Sequence, residues 1–212
     1  MEPVSSVRAV VFDLGNVLID FDHTIAAKRI APFTDKTADE IYRLFFDSPV
    51  TGAFEEGSIN PADFFAAVQA MLGARLTFEE FLPIWNEIFF LTERNKRVYE
   101  IAMQLRAHYT VALLSNVNIL HWEYIRDTFE LYGAFHHLFA SCVIGARKPS
   151  PTIFNTVLET LALPAHAVFY TDDRADLIAE ASLRGFRGFI FTGPEQLERD
   201  LASVGIRGLF HD

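Results

Sequence analysis

The chain has 212 residues, half of them hydrophobic and 21 of them phenylalanine, so it can bury a sizeable core and is not expected to be disordered. Its formal net charge of −10 argues against general attraction to nucleic acid or to anionic membrane surfaces. The single cysteine, Cys142, suits a reducing compartment, and without a signal-peptide pattern or a long apolar segment we expect a cytoplasmic protein.

Short apolar runs rich in β-branched and aromatic residues predict a series of strands. These runs are Val7–Phe12, Tyr109–Leu114, His137–Cys142, Ala167–Tyr170 and Gly188–Phe191. Helical periodicity fills the intervals between the later runs, over Asn118–Leu131, Ser150–Leu161 and Ala175–Leu183. Strands that alternate with helices imply parallel pairing through right-handed crossovers. We therefore predict an α/β fold with a doubly wound parallel sheet.

One interval, from Phe21 to Leu91, breaks this alternation because it shows only helical patterns. Helix starts are marked by Asn60 before a proline, by Thr77 in a capping box, and by Thr92, whose helix returns the chain to the sheet. An interval of about seventy residues is too long for a simple crossover. It predicts an inserted all-helical domain over residues 21–91, with the α/β core formed by residues 1–20 and 92–212.

Polar side chains follow the predicted strands at their carboxyl ends, where ligands collect in an open parallel sheet. In chain order they are Asp13, Ser115 with Asn116, Lys148, and Asp172 with Asp173. Clustered carboxylates repel one another unless a cation holds them, and Mg²⁺ prefers oxygen ligands from carboxylates and phosphate. A carboxylate can also attack phosphorus, while a lysine and a hydroxyl stabilise the phosphoryl oxygens. The set is therefore sufficient for phosphoryl transfer with Mg²⁺ as cofactor.

Four segments carry a family resemblance: VVFDLGNVL, LLSNVN, GARKPSPTIF and FYTDDRADLI. In this order they resemble the four motifs of the haloacid dehalogenase superfamily. The helical insertion just after the first motif resembles the small mobile cap of one of its subfamilies. The stretches DLGNVL and SNVN, with His121 shortly after and Trp85 in the insertion, are similar to a bacterial branch that includes hexose-phosphate phosphatases.

The resemblance implies a role for each residue at the strand ends. Asp13 is the nucleophile, Lys148 orients the nucleophile and the phosphate, and Ser115 binds phosphate. The implied ligands of magnesium are Asp13, the backbone carbonyl of Gly15, Asp172 and Asp173. The further residues expected beside the substrate are Asn116, His121 and Trp85.

Gly15 departs from the family pattern, in which a second aspartate stands two residues after the nucleophile and acts as general acid and then base. Such help is typically worth ~10²–10⁴-fold in rate. Three explanations stay open: a leaving group that needs no proton, such as an anomeric sugar oxygen or an acyl phosphate; a substitute residue; or loss of turnover. The nearest substitutes in sequence are Asp20, Asp22, His23 and His121.

These features predict a magnesium-dependent phosphatase acting on a small phosphorylated metabolite, with a sugar phosphate favoured. The alternatives are a non-catalytic phosphate- or partner-binding protein and a 2-haloacid dehalogenase. The family's dehalogenases resemble Asp-x-Tyr-Gly-Thr at the first motif and need no acidic pair, so Asp172 and Asp173 argue against that chemistry. The oligomeric state stays open between a monomer and a homodimer.

Overall fold

The fold is known from a computed structural model, which describes residues 7–45 and 48–207. A parallel sheet lies at its centre, and each strand pairs in register with its neighbour. Its strands are β1 (Ala9–Phe12), β4 (Thr110–Ser115), β5 (His137–Ala140), β6 (Val168–Asp172) and β7 (Arg187–Ile190). The spatial order β5-β4-β1-β6-β7 places the first strand in the middle of the five. The predicted doubly wound α/β fold is confirmed.

Helices cover both faces of this sheet. They are α6 (Glu93–Arg106), α7 (Ile119–Phe129), α8 (Ser141–Ile144), α9 (Pro151–Leu161), α10 (Ala175–Leu183) and α11 (Pro194–Ser203), with 3₁₀ turns at Leu131–Ala134 and Ala165–Ala167. Side chains alternate across a strand, so β1 sends Val10 and Phe12 into one hydrophobic cluster and Ala9 and Val11 into another on the opposite face. Within the described ranges, every helix is too short or too polar to cross a membrane.

A second hydrophobic body forms between β1 and α6. Its helices are α1 (His23–Ile30), α2 (Ala38–Phe45), α3 (Pro49–Glu55), α4 (Pro61–Leu72) and α5 (Phe78–Asn86), with a 3₁₀ turn at Ala31–Phe33. Stacked aromatic rings fill its centre: the Phe54 and Phe64 centroids lie 4.0 Å apart, and Trp85 packs on Phe81. The Thr77 capping box opens α5 as predicted. The division at residues 21 and 91 into two domains stays a prediction.

The expectation of purely helical structure from Phe21 to Leu91 is wrong at both ends. The strands β2 (Asp20–Phe21) and β3 (Phe89–Phe90) pair antiparallel where the chain enters and leaves the helical body. Two-residue strands are too short to produce a period-two pattern, so sequence periodicity cannot show them. The strand predicted over His137–Cys142 also ends early, at Ala140, because α8 begins at Ser141.

Candidate active site

The carboxyl ends of the three central strands meet at one edge of the sheet. Phe12 pairs with Leu113 of β4 on one side and with Thr171 of β6 on the other, so Asp13 emerges between these strands. The backbone N–H of Asp13 donates to the carbonyl of Thr171 at 2.9 Å. The parallel register therefore places Asp13 beside Asp172, although they are 159 positions apart in the sequence.

Lys148 connects the two carboxylates. Its Nζ atom donates to Asp13 Oδ1 and to Asp172 Oδ2, both at 2.7 Å, and to the Leu114 carbonyl at 3.1 Å. The lysine side chain is only 2% exposed. Its three donors are thus all used inside the protein, at the edge formed by β1, β4 and β6.

Negative charge exceeds positive charge in this cluster. Burial, helped by Asp172 and opposed by Lys148, raises the pKa of Asp13 from 3.8 to about 7. Burial alone would lower the pKa of Lys148, but Asp13 and Asp172 outweigh it and raise that pKa. The two shifts therefore have different causes: desolvation dominates at Asp13, and the attraction of two buried carboxylates dominates at the single ammonium of Lys148. Burial also raises the pKa of Asp173 beside them.

Asp13, Asp172 and Asp173 fit a divalent cation. Each offers a carboxylate oxygen, and these oxygens lie within 4.8 Å of one another. Asn16 Nδ2 donates to Asp173 Oδ2 at 3.0 Å and orients that carboxylate. Both oxygens of Asp172 already accept hydrogen bonds, Oδ1 from the Arg174 N–H and Oδ2 from Lys148 and the Tyr170 hydroxyl. Asp13 and Asp173 are therefore the more available carboxylates of an oxygen-rich site that suits magnesium.

A cavity of about 300 Å³ opens above this edge. Its polar floor includes Asp13, Gly15, Ser115, Lys148, Asp172 and Asp173. Apolar side chains form much of its wall: Leu14, Phe21, Phe89, Ile125 and Leu177. The helical body contributes Glu55, whose carboxylate accepts from Arg147 Nη1 at 3.1 Å, so the two hydrophobic bodies meet at the cavity. With a divalent cation held by the three carboxylates, the site could take a compact molecule with one anionic end.

A family model described as a haloacid dehalogenase-like hydrolase matches residues 7–183. The chain belongs to this family. A D-ribitol-5-phosphate phosphatase of Bacteroides thetaiotaomicron is 26% identical over 190 residues, covering 86% of this chain and 91% of that protein. A phosphatase of Mycobacterium tuberculosis is 24% identical, covering 94% of this chain and 96% of that protein. A haloacid dehalogenase family enzyme from B. thetaiotaomicron, solved in complex with magnesium and inorganic phosphate, superposes with a TM-score of 0.75 at 25% identity, covering 87% of this chain and 93% of that one.

The predicted membership in the haloacid dehalogenase superfamily is thus confirmed, and with it the assignment as a hydrolase.

Two of the predicted site residues follow β4. Ser115 lies at the end of this strand and lines the cavity with Asp13, Gly15 and Lys148. Asn116 also lines it, but its amide is engaged with the protein. Asn116 Nδ2 donates to the Lys148 carbonyl at 2.9 Å, and the Lys148 N–H donates to Asn116 Oδ1 at 2.7 Å. Asn116 therefore clamps the backbone that carries the lysine.

We expect Asn116→Ala to lower both turnover and stability. It removes two hydrogen bonds to Lys148, at a cost of about 1–3 kcal/mol in the free energy of unfolding, and frees the lysine loop. Urea unfolding and phosphatase assays measure the two effects. Asn60→Ala is the matched control, because it removes the N-cap of α4 at about 1 kcal/mol while leaving turnover unchanged. Equal turnover in the two variants would contradict the clamp.

His121 and Trp85 lie together at the boundary of the two hydrophobic bodies. The His121 ring stacks on Trp85 with centroids 4.5 Å apart. A carbonyl only accepts, so His121 Nε2 donates to the Trp85 carbonyl at 3.0 Å and Nδ1 accepts from Asn118 Nδ2 at 3.0 Å. Burial lowers the pKa of His121 to about 3. His121 reaches the cavity wall as a neutral, fully engaged ring, while Trp85 has no exposed surface. We therefore propose packing, not substrate contact, for this pair.

Gly15 lies under an aromatic ring. A Cβ atom built on Gly15 would lie 2.7 Å from Cε1 of Phe21. The Phe21 ring packs in turn against His23 and Phe89, with centroids 5.0 and 6.0 Å away. The family pattern has a second aspartate at this position. Here a phenyl ring fills the space that its side chain would need.

We expect Gly15→Ala to destabilise the protein by about 1–3 kcal/mol, because the methyl group overlaps the Phe21 ring. Gly133→Ala is the control, since its Cβ would meet only the Tyr99 hydroxyl at an ordinary 3.7 Å. Chemical denaturation of both variants measures the difference. A second change, Phe21→Leu, should recover part of the loss in Gly15→Ala. If the two alanine variants unfold alike, the ring does not confine position 15.

Three residues of the site were missed in the sequence: Asn16, Tyr170 and Glu55. Asn16 adopts a positive φ of 55°, a conformation that asparagine tolerates, but nothing local reveals its bond to Asp173. Tyr170 reads as one more apolar strand residue, although its hydroxyl donates to Asp172. Glu55 reaches the cavity only through the docking of α3 on α8, where the Ser141 hydroxyl donates to the Glu55 carbonyl at 2.6 Å.

Proposed function

We propose that this protein is a magnesium-dependent phosphatase that hydrolyses a small phosphorylated metabolite through an aspartyl phosphate on Asp13. One observation carries the proposal. Lys148 holds both Asp13 and Asp172 at 2.7 Å, with Asp173 beside them, at the floor of a cavity large enough for a metabolite. A buried nucleophile, a shared lysine and an acidic pair are the groups that phosphoryl transfer to a carboxylate requires.

Each residue has a distinct task in the first half of the reaction. A carboxylate oxygen of Asp13 attacks phosphorus, and the ester oxygen of the metabolite departs from the opposite side. Lys148 fixes the orientation of Asp13 through its bond to Oδ1 and balances negative charge as the phosphoryl group arrives. Ser115, at the end of β4, donates its hydroxyl to a phosphoryl oxygen.

Asp13, Asp173 and the backbone carbonyl of Gly15 would hold magnesium, with Asp172 completing the acidic set. When bound, magnesium neutralises charge on the phosphate oxygens and on the clustered carboxylates. The hydrogen bond from Asn16 keeps the Asp173 carboxylate turned towards this place. The solved relative that contains magnesium and inorganic phosphate supports this reading.

A sugar or polyol phosphate is the substrate class we propose. The B. thetaiotaomicron relative acts on D-ribitol 5-phosphate, a molecule of this kind. The cavity joins a polar floor to an aromatic wall from Phe21 and Phe89, which suits the apolar face of a carbon chain or sugar ring. The helical body would close over such a substrate and exclude water. The single cysteine is consistent with a cytoplasmic location.

Phosphate release from a panel of sugar phosphates, polyol phosphates, nucleotides and p-nitrophenyl phosphate tests the proposal, with magnesium and with EDTA. We expect release that requires magnesium and favours sugar or polyol phosphates. If magnesium and phosphate bind but no compound is hydrolysed, the protein is a phosphate-binding module. Release of halide from a 2-haloacid without metal would instead identify a dehalogenase.

A further inference from the structure

Gly15 replaces the second aspartate of the family pattern, and the Phe21 ring lies in the space beside that position. The Phe21 ring covers Gly15, and the ring of His23 lies 5.0 Å from that of Phe21. His23 is half-buried, begins α1, and lines the cavity with Asp13 and Gly15. A titratable ring that lines the cavity therefore packs against the side chain that fills the space beside Gly15.

The two carboxylates nearest in sequence are engaged elsewhere. Asp20 Oδ1 accepts from Arg94 Nη2 at 2.6 Å and from Asn95 Nδ2 at 3.1 Å. Asp22 caps α1, where it accepts from the Thr24 N–H at 2.8 Å and the Thr24 hydroxyl at 2.9 Å. Both serve the fold around β2, so neither is placed to move a proton in the cavity.

Two other titratable groups of the cavity are less suited. His121 has both ring nitrogens engaged, and its low pKa, about 3, keeps it neutral. Glu55 lies at the wall formed with Arg147, whose guanidinium binds its carboxylate at 3.1 Å. Among the described residues that line the cavity, His23 thus remains the side chain packed against Phe21 whose type exchanges protons near neutral pH.

We propose that His23 is the general acid and general base of the reaction, a role that rests on the proposed phosphatase function. As Asp13 bonds to phosphorus and the P–O bond of the ester breaks, the His23 imidazolium gives its proton to the departing oxygen, which leaves as a neutral alcohol. Water then attacks the phosphoryl group on Asp13 and gives a proton to the neutral imidazole. The Asp13 carboxylate, free phosphate and the His23 imidazolium are regenerated.

The test compares leaving groups in His23→Gln. For alkyl and polyol phosphates, whose alcohols need a proton, we expect turnover to fall by about 10²–10⁴-fold. For p-nitrophenyl phosphate, whose phenolate leaves unprotonated, the first step should persist. Rapid mixing should then show a burst of p-nitrophenolate equal to the enzyme concentration, followed by slow turnover, because water attack has lost its base.

Two further variants are measured in parallel: Glu55→Gln, which changes a residue of the cavity wall, and His108→Gln, which changes an exposed histidine. Neither should produce a burst or a loss that depends on the leaving group. A burst in Glu55→Gln instead of His23→Gln would assign the proton transfer to the glutamate and overturn our proposal. So would an equal loss on all substrates in His23→Gln. No turnover by the wild-type protein on any substrate would refute the phosphatase function itself.

Chemical rescue separates proton transfer from folding. His23→Ala leaves space beside Phe21, and added imidazole should restore turnover of polyol phosphates at least about tenfold if a proton carrier is what is missing. Thermal unfolding, measured on the same samples, reports any damage to α1. A folded His23→Ala protein that stays inactive at every imidazole concentration would count against the role.

Discussion

Asp13→Asn is expected to abolish phosphate release, with a fall in turnover on the order of 10⁴-fold or more, since the amide cannot attack phosphorus. The loss should be the same for every substrate of the panel, because Asp13 takes part in bond formation whatever the leaving group. Trapping of phosphoprotein under rapid-quench conditions should succeed with the wild-type protein and fail with the variant. Asp127→Asn, which changes an exposed carboxylate paired with Arg126, is the matched control.

The same substitution should stabilise the metal-free protein. Burial raises the pKa of Asp13 from 3.8 to about 7, so the contribution of this group to stability is full below pH 3.8 and is lost as the pH rises through 7. The amide of Asp13→Asn does not ionise, so the variant does not lose stability as the pH rises. At pH 8 without magnesium we expect it to exceed the wild type by about 1 kcal/mol or more in unfolding free energy. A variant that is both inactive and less stable at pH 8 would contradict this electrostatic account.

Lys148→Met is expected to have the largest effect on stability. It leaves Asp13 and Asp172 buried without their shared ammonium, and removing one partner of a buried ion pair costs about 3–5 kcal/mol. The loss should be greater at pH 8 than at pH 5, where Asp13 takes up a proton. Turnover should fall by at least about 10²-fold as well, because a donor aimed at developing charge is lost.

Urea unfolding at the two pH values measures this effect, with Lys28→Met as the control. Lys28 is exposed on α1, and its replacement should change stability by no more than about 0.5 kcal/mol. If Lys148→Met unfolds like Lys28→Met at pH 8, the pair of carboxylates does not depend on the lysine. Equal destabilisation at pH 5 and pH 8 would show that the loss comes from packing and not from charge.

The sheet could be predicted because its central strands β1, β4 and β6 are buried on both faces and read as continuous apolar runs. The three central strands end at or beside polar residues, so Asp13, Ser115 and Asp172 could be assigned to one edge from the sequence alone. The β2/β3 pair could not be predicted in this way. Its pairing depends on the return of the chain after the helical body, a contact between Asp20 and Phe90 that no local pattern encodes.

Within the site, the sequence predicts which chemical groups converge but not how each one is used. Asn116 follows a strand, and the sequence predicts it beside the substrate. Its amide instead binds the backbone of Lys148, which lies 32 positions further along the chain. Trp85 shows the same limit. Core packing is the default for an aromatic residue on an amphipathic helix, and only the folded neighbours show whether the residue also contacts a ligand.

The antiparallel pair β2/β3 also has a consequence for engineering. Both chain crossings between the sheet and the helical body run through these two hydrogen-bonded strands, with Asp20 opposite Phe90 and Phe21 opposite Phe89. Because the entry and exit points lie side by side, we expect the helical body to be exchangeable between relatives as one continuous piece, provided that its contacts through Glu55 and Trp85 are kept. Phe21 and Phe89 line the cavity. A chimera that exchanges this piece therefore also replaces the two aromatic side chains of the wall that would contact a substrate.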